Sequence, residues 1–439
     1  MCCPAQEHRC APADERYAVR SRRRDRSVAP IPGGGGGGGS SRVNSARGES
    51  FLGAARDLLG REVPFAPGYA LDDGADSAQL RSEAVRMVTG AEVAVVFAGL
   101  READESEGYD RSHIDLPQEQ VELIKAVAGA AEQTVVVLSN GGVVSVEPWH
   151  DDVDAILEGF LLGQAGGRAI AELIFGEVNP SGHLAETIPF RLVDNSSTPN
   201  FPGEDGHVLY GERLLVGYRG YTALERPVRY PFGHGLSYTT FETSDFEVAV
   251  TGSDSAVVTV RVTSSGDRDG AHLVQIYVDS TSHIRVQRPQ RELRAFAKPY
   301  LKPGESVTLE LALDRRSFAV WDVRLGDWVV EPGAYTVQLG RDADTMVSEQ
   351  RIMLDGDGIV RELTEWSTLF EWMSHPIVGP TLVEDINDDR FRYITQDKII
   401  RVAGTMPMGR LIDFLGEDLP EGTFDRLMAK SRPTPTGRT

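Results

Sequence analysis

Five carboxylates crowd the segment from Asp104 to Asp115, within ADESEGYDRSHIDLP (Ala103 to Pro117), immediately after the apolar run Ala91 to Leu100. Carboxyls packed together oppose one another's ionisation, so one member of such a set can keep its proton near neutrality and donate it to a leaving oxygen. Asp104, Glu105, Glu107 and Asp110 are the crowded four. Cleavage of a glycosidic bond requires an acid of this kind. Gly108 permits an unusual backbone angle, and Arg111 is placed to pair with one of the acids and hold the loop in shape. Residue types alone leave a plainer reading open, a solvated acidic surface loop.

The elements that must carry this loop are readable on either side of it. Ala91 to Leu100 (AEVAVVFAGL) and Thr134 to Leu138 (TVVVL) are dense in Val and Ala, as expected of strands covered on both faces in a parallel sheet. Asp154 to Phe160 is a third strand candidate. Helical spacing is seen in Ser50 to Leu59, in Ala78 to Met87 after the N-cap candidate Asp76, in Pro117 to Ala131, and in Gly166 to Phe175 before Gly176. Val63 to Ala70 reads as a short extended piece. Strand, loop and helix in this order predict an α/β layered domain over 51–240, with the acidic loop at a strand's carboxyl end, where ligands of open α/β sheets sit.

After Phe241 the texture changes to short alternating runs: Phe246 to Val250, Ala256 to Thr263, Leu273 to Val278, Glu292 to Ala297, Ser306 to Leu313, Phe318 to Asp322 and Tyr335 to Leu339. Turn signals such as Lys302-Pro303-Gly304-Glu305 and Glu331-Pro332-Gly333 separate them, and the set predicts an all-β sandwich over 241–354. The stretch 355–439 reads as a partly helical extension, with helices at Leu363 to Met373 and Met408 to Leu415 and a loose Pro/Thr/Arg tail. Residues 1–50 read as a degenerate segment, with a basic run from Arg20 to Arg26 and unbroken glycine from Gly33 to Gly39.

Whole-chain properties narrow the function classes. The 439 residues carry 66 acidic and 45 basic side chains and a formal charge of -21, which argues against nucleic acid or anionic membrane as a partner. The three cysteines, Cys2, Cys3 and Cys10, all lie in the first ten residues, so no disulfide framework is expected in the body. No apolar run reaches the ~18 to 20 residues of a membrane span and no signal-peptide order opens the chain, so a cytoplasmic protein is expected.

No metal or cofactor is expected either: Cys2, Cys3, Cys10 and His8 lack zinc-ligand spacing, and His150, His183, His207 and His234 are scattered. No GxSxG elbow occurs. Gly163-Gln164-Ala165-Gly166-Gly167 lacks the Lys and Ser/Thr of a phosphate loop and reads as close helix packing. Trp149, Phe160, Trp321 and Tyr335 read as core residues rather than sugar-stacking platforms.

The order of residues in the acidic loop adds more than its composition. Glu105-Ser106-Glu107-Gly108-Tyr109-Asp110-Arg111 with Ile114-Asp115-Leu116-Pro117 resembles the ESEGxDRxxLxLP segment of family 3 glycoside hydrolases, the β-glucosidase group. Further motifs follow in register. Asn179 to Leu184 with Ile188-Pro189-Phe190 is similar to NPSGKLPxTFP, and Tyr210-Gly211-Glu212 with Val216 to Arg219 to YxE...VGYR. Pro231 to Phe241 is similar to PFGxGLSYTxF. Arg288-Pro289 to Phe296 and Leu301 to Glu305 resemble RPxKELKGF...LxPGE of the fibronectin type III-like domain that ends these enzymes.

The resemblance implies an α/β sandwich followed by a fibronectin type III-like sandwich. It implies a retaining mechanism, with an aspartate nucleophile and a glutamate that protonates the leaving oxygen and then activates water. The glutamate comes from this loop. Glu107, directly before the glycine, is the first choice and Glu105 the second, with Gly108, Asp110 and Arg111 as loop supports; substrate-binding residues remain unassigned. The family's nucleophile sits in an N-terminal (β/α)8 barrel with an SDW-type segment, and no barrel fits before residue 51. Gly37 to Asn44 is similar to the GGGSSxVN that opens the second domain. A truncated β-glucosidase-like protein, inactive alone and open to association with a barrel-containing chain, is therefore expected; the alternative is a non-catalytic carbohydrate-binding or protein-interaction module.

Overall fold

The structure is a computed structural model, and it describes residues 48–70, 76–101, 104–106, 108–280, 286–323, 325–387, 389–415 and 422–432. The chain divides into two units, Met1–Leu354 and Asp355–Thr439.

The first unit opens with helices α1 (Phe51–Leu59) and α2 (Ser77–Val88), then strand β1 (Val93–Gly99), α3 (Gln118–Ala128), β2 (Gln133–Ser139), β3 (Ala155–Glu158) and α4 (Gly166–Ile174). The helix starts follow the caps. Ser50 Oγ accepts the Gly53 amide, and the Asp76 carboxylate accepts those of Ala78 and Gln79. Gly60 closes α1 in the left-handed conformation at φ 61°. The three strands are parallel in the order β1-β2-β3, with Val93 opposite Gln133 and Gly99 opposite Ser139.

Alternate residues of these strands feed two separate cores, which is why the runs are apolar throughout rather than alternating. Ala94, Val96 and Ala98 of β1 and Val136 and Leu138 of β2 join Val88 of α2 and Val121, Ile124 and Val127 of α3 on one face. Val95, Phe97, Val137 and Leu157 join Phe51, Ala54 and Ala55 of α1 and Ile170 of α4 on the other, with the Phe51 and Phe97 rings 4.8 Å apart. Burial of each large aliphatic or aromatic side chain contributes about 1.5–3 kcal/mol. Val63 to Ala70 joins no ladder. One sequence expectation falls short here: the third strand ends at Glu158, because Phe160 turns left-handed at φ 50°.

Beyond this layer come β4 (Ile188–Pro189), α5 (Tyr218–Ala223) and β5 (Val228–Tyr230), and then a β-rich part. Its strands are β6 (Phe241–Val250), β7 (Ala256–Ser264), β8 (Gly270–Ala271), β9 (Val274–Asp279), β10 (Glu292–Ala297), β11 (Tyr300–Leu301), β12 (Ser306–Leu313), β13 (Val320–Asp322), β14 (Asp327–Val329), β15 (Gly333–Gly340) and β16 (Met346–Leu354). The main sheets run β12-β7-β6 and β10-β9-β15-β16, and Val258, Val260, Val262, Ile276, Val278, Val337 and Leu339 fill one core. The sequence reading missed β16, whose inward positions carry the polar Ser348 and Gln350 ahead of Ile352 and Leu354 while Val347 and Met353 face outward, so no apolar alternation marks the strand. Asp314 caps a turn of helix over Arg315–Phe318, so the run predicted from Phe318 is a strand only from Val320. Tyr335 and Trp149 are buried as expected, but Trp321 is 45% exposed, because it lies on the outer face of the β13–β14 hairpin opposite Trp328.

Three histidines meet where the α/β layer joins the β-rich part. Burial pushes His183, His234 and His272 below the ordinary histidine value, His272 to about 4, with His183 and Arg341 adding repulsion at His272. Asp342 opposes the shift at His183 and His234, and Lys298 reinforces it at His183. An unfolded chain takes up these protons near 6.5, whereas folded His272 resists until about 4, so acidification through that window favours unfolding. The melting temperature is expected to fall as pH drops from 6.5 toward 4, with His272 contributing about 1.4 kcal/mol per unit of pH. His272→Gln should flatten that slope in pH-resolved calorimetry; an unchanged slope would discard the account.

In the second unit, α-helices at Leu369–Ser374, Leu382–Ile386, Asp389–Ile394, Asp397–Ala403, Met408–Leu415 and Thr423–Ser431 enclose Trp372, Leu382, Phe391 and Met408. The helix expected from Leu363 starts only at Leu369, because Thr368 and Glu371 form a reciprocal capping box. Among the described residues no helix is long and apolar enough to cross a membrane.

Candidate active site at the strand ends

The acidic loop leaves β1 at its carboxyl end, beside the glycine turn that follows β2. Buried Gln120 of α3 closes the last peptide of β1, accepting from the Gly99 amide and donating to the Gly99 carbonyl, both at 2.9 Å. Arg101 then folds the loop back on itself: its Nε and Nη2 donate to the Asp104 carboxylate at 2.9 and 3.1 Å. Those bonds hold the Asp104 carboxyl below its ordinary range, against the opposing effect of burial. Asp104 is thus removed from the set of acids expected to crowd one another.

Glu105 reaches across to the β2 turn. Both of its oxygens lie 2.8 Å from the Gly141 amide, and Oε1 is also 2.8 Å from the Gly142 amide. Glu107 lies outside the described residues. A Cβ at Gly108 would meet only Ser106 Oγ at 3.7 Å, so close packing does not demand glycine there, and Asp110 is exposed. Among the described residues Arg111 donates to a backbone carbonyl, that of Val143, rather than to a loop carboxylate. The loop returns through the amide of Ser145, which donates to the Ile114 carbonyl at 2.6 Å.

Among the described residues burial raises three carboxyls that the sequence reading passed over: Asp344 between β15 and β16, and Glu158 and Glu186. Glu158, the last residue of β3, is raised by desolvation while the Phe160 amide donates to it at 2.8 Å. Glu186 is raised by desolvation and partly offset by the Arg111 cation. No local pattern marks either glutamate. The cavity beside Glu158, lined also by Leu138, Tyr230 and His234, is about 10 Å3, room for one water rather than a sugar. A hollow of about 590 Å3 lies against Phe190, Arg191, Val193, Asp194, Arg226 and Pro227, where Arg191 already pairs with Asp194. Neither is lined by acidic-loop residues.

The other singled-out motifs turn out to join the α/β layer to the β-rich part. Asn179 of NPSG accepts the Tyr238 amide at 2.8 Å. Tyr218 stacks on Phe232 at 4.5 Å and accepts the Leu293 amide at 2.8 Å through its hydroxyl. Gln275 donates to the Gly233 carbonyl at 3.0 Å.

Residues 27–238 match the glycosyl hydrolase family 3 C-terminal domain, and residues 272–343 match the fibronectin type III-like domain. The chain carries the C-terminal part of glycosyl hydrolase family 3. This chain is 47% identical over 384 residues to an exo-alpha-(1->6)-L-arabinopyranosidase of Bifidobacterium longum, covering 86% of the chain and 50% of the relative. It is 39% identical to the thermostable beta-glucosidase B of Acetivibrio thermocellus, covering 83% and 49%. The crystal structure of a Bifidobacterium adolescentis GH3 beta-glucosidase superposes with a TM-score of 0.76 at 46% identity, over 82% of this chain and 53% of that one. The chain spans about half the length of these relatives.

Proposed function

We propose that this chain supplies the proton-donor half of a retaining family 3 β-glycosidase, with Glu107 as the acid/base, and that it turns over no glycoside alone. The observation that carries the reading is the fastening of the ESEG loop to the carboxyl ends of β1 and β2, where open α/β sheets present their chemistry. Glu105 has both oxygens engaged by peptide amides, which supports assigning the donor role to Glu107, the glutamate directly before Gly108.

In a retaining reaction a second carboxylate attacks the anomeric carbon while the acid protonates the departing oxygen; the same residue then takes a proton from water. In this reading a barrel-containing half supplies the attacking carboxylate and this chain the acid. The relatives' names support glucosides and arabinopyranosides as the substrate class.

The test mixes this chain with the separately expressed N-terminal half of the Bifidobacterium adolescentis enzyme and follows 4-nitrophenyl β-glucoside. Release at background from either half and clear turnover from the mixture is the expected result. Turnover by this chain alone at the rate of an intact relative, or none from a mixture that sizes as a complex, would refute the reading.

A second reading, a non-catalytic carbohydrate-binding module, draws on the exposed Trp321 beside Trp328, whose rings lie 5.6 Å apart. Retention on an immobilised β-glucan that Trp321→Ala abolishes, with no turnover from any mixture, would favour it.

A further inference from the structure

We infer that Glu105 is a positioning residue, a carboxylate clamp that fixes the acidic loop of β1 onto the glycine turn of β2. The inference rests on the reading of that loop as the proton-donor loop.

Two consecutive peptide amides, Gly141 and Gly142, converge on one carboxylate at 2.8 Å, the arrangement of a backbone anion nest. The turn is shaped for this occupant. A Cβ at Gly141 would sit 3.2 Å from both Glu105 oxygens, tighter than nine in ten real contacts, so a larger residue there would make the carboxylate give by a few tenths of an ångström. A second strap follows one residue further along the turn, where Arg111 donates to the Val143 carbonyl. The straps bind residues 141, 142 and 143 in succession, and in sequence they bracket Glu107 on both sides. The doubling of glutamates in Glu105-Ser106-Glu107 then has a division of labour in the proposed reading: Glu105 is committed as an acceptor, and the donor role falls to Glu107.

The clamp predicts a direct signature. In the full chain, Glu105→Ala should speed hydrogen exchange at the Gly141 and Gly142 amides about tenfold or more, the scale of a hydrogen bond to a charged acceptor. Exchange at Val96 and Val137 in the paired strands should stay unchanged, which separates loss of the clamp from loss of the fold. Glu105→Gln keeps one acceptor oxygen at the same reach and should restore part of the protection. In the two-half mixture, Glu105→Ala should lower kcat about 100-fold with KM nearly constant. It should also keep the alkaline limb of the pH–rate profile, since the proton donor is still present.

Equal exchange at both glycines in wild type and Glu105→Ala overturns the clamp. Loss of the alkaline limb in Glu105→Ala overturns it in another way, by making Glu105 the proton donor. If the mixture never turns over, the proposed function fails while the exchange measurement still decides the clamp.

Discussion

Replacing Glu107 by Gln is expected to slow hydrolysis of an alkyl glucoside by the two-half mixture about 10²- to 10⁴-fold, the usual range for losing a general acid. Gln keeps the shape and removes only the acidic proton, so binding should be little affected and the loss should fall on kcat. The size of the loss must depend on the leaving group. A dinitrophenolate departs without protonation, so a dinitrophenyl glucoside should suffer less than tenfold in the glycosylation step. Added azide, which needs no general base, should accelerate the variant and yield glucosyl azide. An equal loss for alkyl and dinitrophenyl glucosides would remove Glu107 from the role. If Glu105→Gln gave that leaving-group dependence instead, the assignment of the two glutamates would be reversed.

Gly99→Ala is expected to cost about 3 kcal/mol of stability, the upper end of ordinary overpacking. Gly99 ends β1 opposite Ser139, and a Cβ there would lie 1.9 Å from the Ser139 carbonyl oxygen and 2.8 Å from its carbon. The obstacle is backbone, so no rotamer change relieves it. The strand ends must separate, which also strains the pair of bonds between Gly99 and Gln120. Because Glu105 follows β1 and Gly141 follows β2, the same separation should loosen the clamp. A drop in urea midpoint with an unchanged slope, together with faster exchange at Gly141, is the expected pattern. A wild-type midpoint would show that the strand ends tolerate the methyl group.

Some sequence expectations survived because the forces behind them are local. Asp76 caps its helix through amides two and three residues away, as expected, so that start signal needed no knowledge of the rest of the chain. The Val-rich runs became β1 and β2 because strands buried on both faces have no polar side to alternate with. Other expectations failed where a partner outside the segment decided the outcome. Trp321 was read as core from its strand context, yet the hairpin faces it outward beside Trp328. Arg111 was expected to steady its own loop, and among the described residues its hydrogen bond goes to the Val143 carbonyl, 32 residues away.

The sequence by itself determined the layered order of strands and helices, the all-β part after it, the family likeness and the position of the acidic loop after β1. These follow from hydrophobic period, turn residues and motif order, all of which are written along the chain. The tertiary structure alone decided what the carboxyls do. Glu105 meets an amide 36 residues distant only because β1 and β2 lie side by side, and Glu158 and Glu186 are raised only because other segments exclude water from them. A carboxyl's chemistry depends on which dipoles and how much water surround it in space, and spacing along the chain does not encode that environment.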